Sequence, residues 1–188
     1  VIRTDREGKS DNHCFDWETG DKAATEAVFA KADVVVTDDI VYPRVHPAPM
    51  ETCGCVADYE RVGGQLTLWT TSQAPHAHRT VYALVSGLHE HKIRVIAPDI
   101  GGGFGNKVPI YPGYLCAIVA SMTLGRPVKW MEDRSENLTS TTFARDYVMA
   151  GEIAATRDGR ILAVRSKVLA DHGAFNGVAA PSLSVTLP

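Results

Sequence analysis

Polar and apolar positions along this chain follow two periods, and each period predicts a different element. Strand-like runs of branched and aromatic residues cover Ala32–Val45, Met50–Tyr59, Gln65–Ser72 and Ile93–Ile100. The first is expected to break near Asp38-Asp39 and to close at Pro43, and Gly63-Gly64 reads as the turn between the next two. Helical spacing begins at Pro75, a residue suited to a first helical turn, and runs to a capping Gly87, with Val81, Leu84, Val85 and Leu88 as the inward face. Tyr114–Leu124 is apolar almost all round and reads as a buried helix ended by Gly125. A further helix is expected over Lys22–Lys31, a short strand over Val128–Met131, and a polar turn or short helix over Glu132–Thr139. The last unit is a hairpin, Tyr147–Ala155 and Ile161–Ala170, turning at Asp158-Gly159. Together these predict an α+β fold of mixed sheets with packed helices.

A length of 188 residues fits one ordinary domain or a piece of something larger. The chain opens on Val1 and ends at Pro188 inside a Pro/Ser/Leu stretch, so both ends read as cuts. The composition, 45% hydrophobic and 22% charged, is that of a globular protein, and a net charge of −3 without a basic block argues against nucleic acid or anionic membrane as a partner. No apolar run approaches the roughly 18 residues of a membrane span.

Four cysteines are too few for a disulfide scaffold and suit a reducing compartment. Cys53 and Cys55, two apart, are expected on one strand face as buried structural thiols, since nothing nearby completes a metal site. His89-Glu90-His91 and His76-x-His78 lack helical zinc-site spacing, so the histidines are expected at the surface or as caps. No nucleophile elbow occurs, the carboxylates set no acid–base pair, and the Asn137-Leu138-Thr139 glycosylation triplet is read as chance.

The distinctive stretch is Gly101-Gly102-Gly103-Phe104-Gly105-Asn106-Lys107, directly after the Ile93 strand. Four glycines in five positions let another group approach the backbone, and successive N–H groups there can bind an anion. It matches neither the dinucleotide nor the phosphate-loop pattern. Gln73, at the end of the third strand, carries an amide able to donate and accept; a helix cap is the ordinary alternative.

Thr71-Ser72-Gln73 before a helix, then a strand and the glycine loop, resembles the molybdenum hydroxylases, the family of xanthine dehydrogenase, aldehyde oxidoreductase and carbon monoxide dehydrogenase. Within it, Glu51-Thr52-Cys53-Gly54-Cys55-Val56-Ala57, Gln73-Ala74-Pro75-His76, Glu90-His91-Lys92-Ile93, Pro98–Val108, Glu132-Asp133-Arg134 and Ala170-Asp171-His172-Gly173-Ala174-Phe175 resemble aerobic carbon monoxide dehydrogenase large subunits. Residues 33–188 would then be part of a molybdopterin-binding domain, and residues 1–32 a linker with a short helix.

The resemblance implies that Gln73 serves catalysis by hydrogen-bonding the apical oxo ligand of molybdenum, and that Gly101, Gly102, Gly103, Phe104 and Gly105 lie against the pterin, in its cytosine dinucleotide form. It implies oxidation of CO with water to CO2, with copper held by a cysteine outside these residues. It also implies an iron–sulfur small subunit and an FAD medium subunit, assembled as a dimer of heterotrimers. The place would be cytoplasmic, with association at the inner membrane face left open. Val108 stands where purine-oxidising relatives carry a glutamate. The alternatives are a molybdenum hydroxylase acting on an aldehyde or N-heterocycle, and a cofactor-free binding domain. Alone, the chain is expected to be inactive and poorly soluble, its apolar faces lacking partners.

Overall fold

The computed structural model describes residues 11–171 and 173 of the chain; Val1, Pro188 and the His172 and Ala174-Phe175 positions of the resemblance lie outside them. Its elements are α1 (Lys22–Phe29), β1 (Val34–Tyr42), β2 (Gly54–Glu60), β3 (Gln65–Thr70), α2 (Pro75–Ser86), a 3-10 turn at Glu90–Lys92, β4 (Ile93–Ile96), α3 (Pro112–Leu124), β5 (Val128–Met131), α4 (Arg134–Ser140), β6 (Tyr147–Ala155) and β7 (Ile161–Ala170). The described residues form two compact units, one from 11–44 with 145–171 and 173, the other from 45–144. The fold class is α+β, as the pattern predicts.

The first unit is an antiparallel sheet in the order β1-β6-β7. The Asp158-Gly159 turn joins β6 to β7, with Gly159 at φ +93° and the Thr156 N–H donating to the Arg160 carbonyl. Asp38 and Asp39 do not break β1, contrary to expectation. They pair with Gly151 and Ala150 in an unbroken ladder, because an edge strand exposed along its whole length can turn both carboxylates to water. α1 starts on an Asp21 cap and packs on β7, where the Arg165 guanidinium lies 4.2 Å from the Phe29 ring centroid.

The second unit is a mixed sheet in the order β4-β3-β2-β5, covered by α2 and α3. Alternation along β3 sends Leu66 and Leu68 into the core, where they meet Ala57 and Cys55 of β2, Tyr82 of α2, and Tyr114, Ala117 and Ile118 of α3. β4 stops at Ile96 rather than Ile100, since Pro98 has no N–H to offer a ladder.

Two helices bury a different face from the one their hydropathy suggests. α2 has the predicted caps, yet it buries His78 and Tyr82 while Val81, Leu84 and Val85 stay exposed. The inward pair is polar but satisfied: Tyr82 OH bonds His78 Nδ1 at 3.1 Å, and His78 Nε2 bonds the Val108 carbonyl at 2.8 Å. His78 is therefore a buried histidine, not the expected surface or capping group. α3 buries Tyr114, Ala117, Ile118 and Ser121, while Cys116, Val119 and Leu124 remain exposed, so it is not buried all round. No helix among the described residues is long and apolar enough to cross a membrane.

Candidate functional site

β3 and β4 are parallel neighbours joined by α2, pairing Leu66 with Ile93 and Leu68 with Val95. Gln73 follows the carboxyl end of β3 and the glycine loop follows the carboxyl end of β4. Parallel pairing therefore brings both to one end of the sheet, the position where ligands bind in parallel α/β arrangements.

There Gln73 and the loop are bonded to each other. Its side-chain oxygen accepts the Gly105 N–H at 3.1 Å and the Lys107 N–H at 3.2 Å, and its own N–H donates to the Lys107 carbonyl at 3.1 Å. Two backbone donors on one atom fix that atom as the amide oxygen. The Nε2 donors then have no partner within the described residues, and the residue is exposed. Gln73 does not cap α2: the N-cap is Ala74, without a side-chain bond.

The glycines have separate reasons. A Cβ on Gly103 would lie 2.2 Å from Gln73 Cδ, so only a bare backbone admits the amide, whereas Gly105 is held at φ +86° with open space around it. Gly101 bonds Glu51, and Gly102 passes beside the Phe104 ring. Phe104 is itself at φ +51° and 72% exposed, an apolar ring held out on a backbone conformation that non-glycine residues seldom adopt. All six predicted site residues thus gather in one loop and its partner.

Sequence reasoning missed what fastens this loop. Glu51 Oε2 accepts both the Gly101 N–H at 2.8 Å and the Lys107 ammonium at 2.6 Å, and the Lys107 side chain is fully buried. Partial burial pushes the Glu51 carboxyl up, but the Lys107 hydrogen bond, the Gly101 N–H and the Lys107 charge outweigh it and leave it below its ordinary value.

Beneath the loop runs a buried polar network. The Asn106 side-chain amide donates to Thr141 Oγ1 at 2.8 Å, the Asn106 backbone carbonyl accepts the Tyr111 hydroxyl at 2.6 Å, and Asn137 Nδ2 reaches both Asn106 Oδ1 at 3.3 Å and Glu132 Oε1 at 2.5 Å. Glu132 Oε1 also takes the Cys53 N–H at 2.6 Å. Asn137 is thus committed inside, which accounts for the glycosylation triplet. α4, which carries it, opens with an Asp133/Glu136 capping box, the one local sign of this network that the sequence displays.

Cys53 and Cys55 are buried, and desolvation pushes both thiols up to about 12. Neither is a nucleophile at neutral pH. Among the described residues no three His, Cys, Asp or Glu side chains converge as a metal site. The site offers the Gln73 Nε2 donors and, at Gly105, backbone without a Cβ facing open space, while the N–H groups of Gly101, Gly102, Gly105, Asn106 and Lys107 are bonded within the chain. That donor set fits a bulky anionic group whose metal brings its own ligands and presents an oxygen to Gln73.

Comparison with known proteins is consistent with that fit. Residues 6–187 match the family described as "Molybdopterin cofactor-binding domain". The chain is 65% identical to the carbon monoxide dehydrogenase large chain of Afipia carboxidovorans over 93% of this chain and 22% of that one. It is 59% identical to the large chain from Hydrogenophaga pseudoflava, over 97% of this chain and 24% of that one. A crystal structure of the Cu,Mo-CO dehydrogenase in its carbon monoxide reduced state superposes with a TM-score of 0.74 at 66% identity, covering 86% of this chain and 20% of that one. The chain thus spans about a quarter of the length of these curated relatives.

Proposed function

The chain belongs to the molybdopterin cofactor-binding domain family, and on that premise we propose that it forms part of the molybdenum site of a carbon monoxide dehydrogenase large subunit. The overall reaction is CO + H2O → CO2 + 2 H⁺ + 2 e⁻, with the electrons leaving through iron–sulfur and flavin subunits of a dimer of heterotrimers. Molybdenum on its pterin cytosine dinucleotide, together with copper held by a cysteine outside this stretch, supplies the redox chemistry when bound. A cytoplasmic place follows from the same proposal.

The observation that carries the assignment is the fastening of Gln73. Because its oxygen is taken by Gly105 and Lys107, its two Nε2 donors are fixed for an acceptor beyond the loop. An oxo ligand is such an acceptor. Gly105 gives a pterin backbone without a side chain facing open space, Gly101, Gly102 and Gly103 let the loop fold closely on Glu51, Phe104 and Gln73, and the exposed Phe104 ring gives the pterin an apolar contact. Lys107 is followed by an apolar residue, Val108, whose carbonyl is committed to His78. Nothing there would orient a heterocycle, and CO needs no such group.

The test is CO-dependent dye reduction by the complete purified enzyme, with metal analysis of the same sample. Activity with molybdenum and copper both present supports the assignment. Oxidation of an aldehyde or N-heterocycle without copper would replace CO as the substrate, and a folded enzyme free of molybdopterin would sink the whole reading.

A further inference from the structure

Among the described residues, Lys107 alone is bonded to both Glu51 and Gln73. Its buried ammonium reaches Glu51 Oε2 at 2.6 Å. Its backbone is tied to Gln73 in both directions, the Lys107 N–H donating to Gln73 Oε1 at 3.2 Å and the Lys107 carbonyl accepting the Gln73 N–H at 3.1 Å. The same Glu51 oxygen takes the Gly101 N–H, and the Glu51 N–H donates to the Gly101 carbonyl at 3.1 Å. The first and last residues of the glycine loop are therefore fastened to one carboxylate, and the last also carries Gln73.

We infer that Lys107 and Glu51 form a clamp that positions the Gln73 amide, an inference that rests on the cofactor role proposed for Gln73. A pair serving stability alone would gain little from charge, because water screens the partly exposed Glu51 carboxylate and the buried Lys107 ammonium carries a desolvation cost. What charge adds here is direction. One carboxylate oxygen sets where Gly101 and Lys107 stand, and through Lys107 it sets where the two Nε2 donors stand. Lys107 touches no reacting atom in this arrangement, so its effect passes through Gln73.

The test uses Lys107→Met in the complete enzyme. Methionine keeps an unbranched apolar side chain in the buried slot, and Glu51, partly exposed, can hold its charge in water. The pair Glu51→Gln with Lys107→Met serves as the second variant, since it keeps an acceptor for the Gly101 N–H and leaves no buried charge. Molybdenum content, melting point, the molybdenum(V) electron-spin spectrum, kcat and KM for CO, and hydrogen exchange of the 101–107 segment are measured beside Gln73→Ala.

The clamp predicts retained molybdenum and melting point, faster exchange confined to 101–107, and a spectrum altered in the direction of Gln73→Ala. It also predicts kcat lower by about ten-fold with KM unchanged. Unchanged exchange and spectrum in both variants, with Gln73→Ala altered, would overturn the clamp while leaving the role of Gln73 intact. Proportional loss of melting point, molybdenum and kcat in both variants would overturn it as well, by reducing the pair to a stabilising contact. A Gln73→Ala enzyme with an unchanged spectrum would instead refute the role proposed for Gln73, and the inference with it.

Discussion

A Cβ atom on Gly103 would sit 2.2 Å from Gln73 Cδ and 2.4 Å from Gln73 Oε1. The methyl of an alanine has no other rotamer with which to relieve this. The Gln73 amide must move, and it can do so only by giving up the Gly105 and Lys107 N–H groups. Gly103→Ala is therefore expected to fold but to bind its cofactor poorly, read as a fall in the molybdenum-to-protein ratio by elemental analysis. Gly159→Ala, in the β6–β7 turn away from the loop, is the control: its Cβ meets no atom, and at φ +93° it costs about 1–2 kcal/mol of backbone strain. A Gly103→Ala protein with full molybdenum would show that the close approach is incidental.

The cysteines give a chemical check on the core. Burial holds the Cys53 and Cys55 thiols at about 12, so at pH 8 the thiolate fraction is on the order of one in ten thousand. In the native complete protein neither is expected to react with a disulfide reagent, and both should react once urea unfolds it. Peptide mapping after labelling would locate the modified sites. Native labelling of Cys53 would mean that the polar network around Glu132 and Asn106 opens readily.

Much of this fold was legible in the sequence, and the unread part has a common physical cause. The β6 and β7 bounds coincide with the alternating runs either side of Asp158-Gly159, and the left-handed Gly87 and Gly125 end α2 and α3 as expected. These are local signals, written within a few residues. The inward face of α2 is not local. Hydropathy favours Val81, Leu84 and Val85, but His78 faces in because it finds the Val108 carbonyl 30 residues away. Likewise, Glu51 meets Lys107 across 56 residues and Asn137 meets Asn106 across 31. Gln73 and the loop stood out for their residue types, while the groups that hold them are ordinary residues made particular by the fold.

Two buried or half-buried groups set a pH dependence of stability. Burial holds His78 below the ordinary histidine value, against a smaller upward pull from the Val108 carbonyl. The unfolded chain therefore binds a proton near pH 6.5 that the folded chain resists, and stability present above that pH is lost as pH falls. Glu51, also lowered, contributes stability that is full above the ordinary carboxylate range, about 4.3, and is lost as pH falls through its folded value. Melting points measured from pH 8 down to 3 should decline in two stages. His78→Gln is expected to flatten the upper stage alone. An upper stage that persists in that variant would assign it to another group.

The outward face of α2 predicts how the chain behaves apart from any partner. Leu84 is 79% exposed and Val81 and Val85 lie beside it, while in the other unit Val36, Val41, Val164 and Leu169 are exposed on the β1-β6-β7 sheet. Apolar surface of this extent is uncommon on a monomer and favours association. Expressed alone, the 188-residue chain is expected to elute from a sizing column as large aggregates. Leu84→Lys with Val85→Lys places two ammonium groups on a surface that contributes nothing to the Leu66/Leu68 core, so it should raise the soluble fraction without lowering the melting point of what remains folded. Sedimentation velocity of both chains decides the matter. A monodisperse, cooperatively melting parent chain would mean that these faces need no cover, and no gain from the double lysine variant would move the association to the exposed sheet.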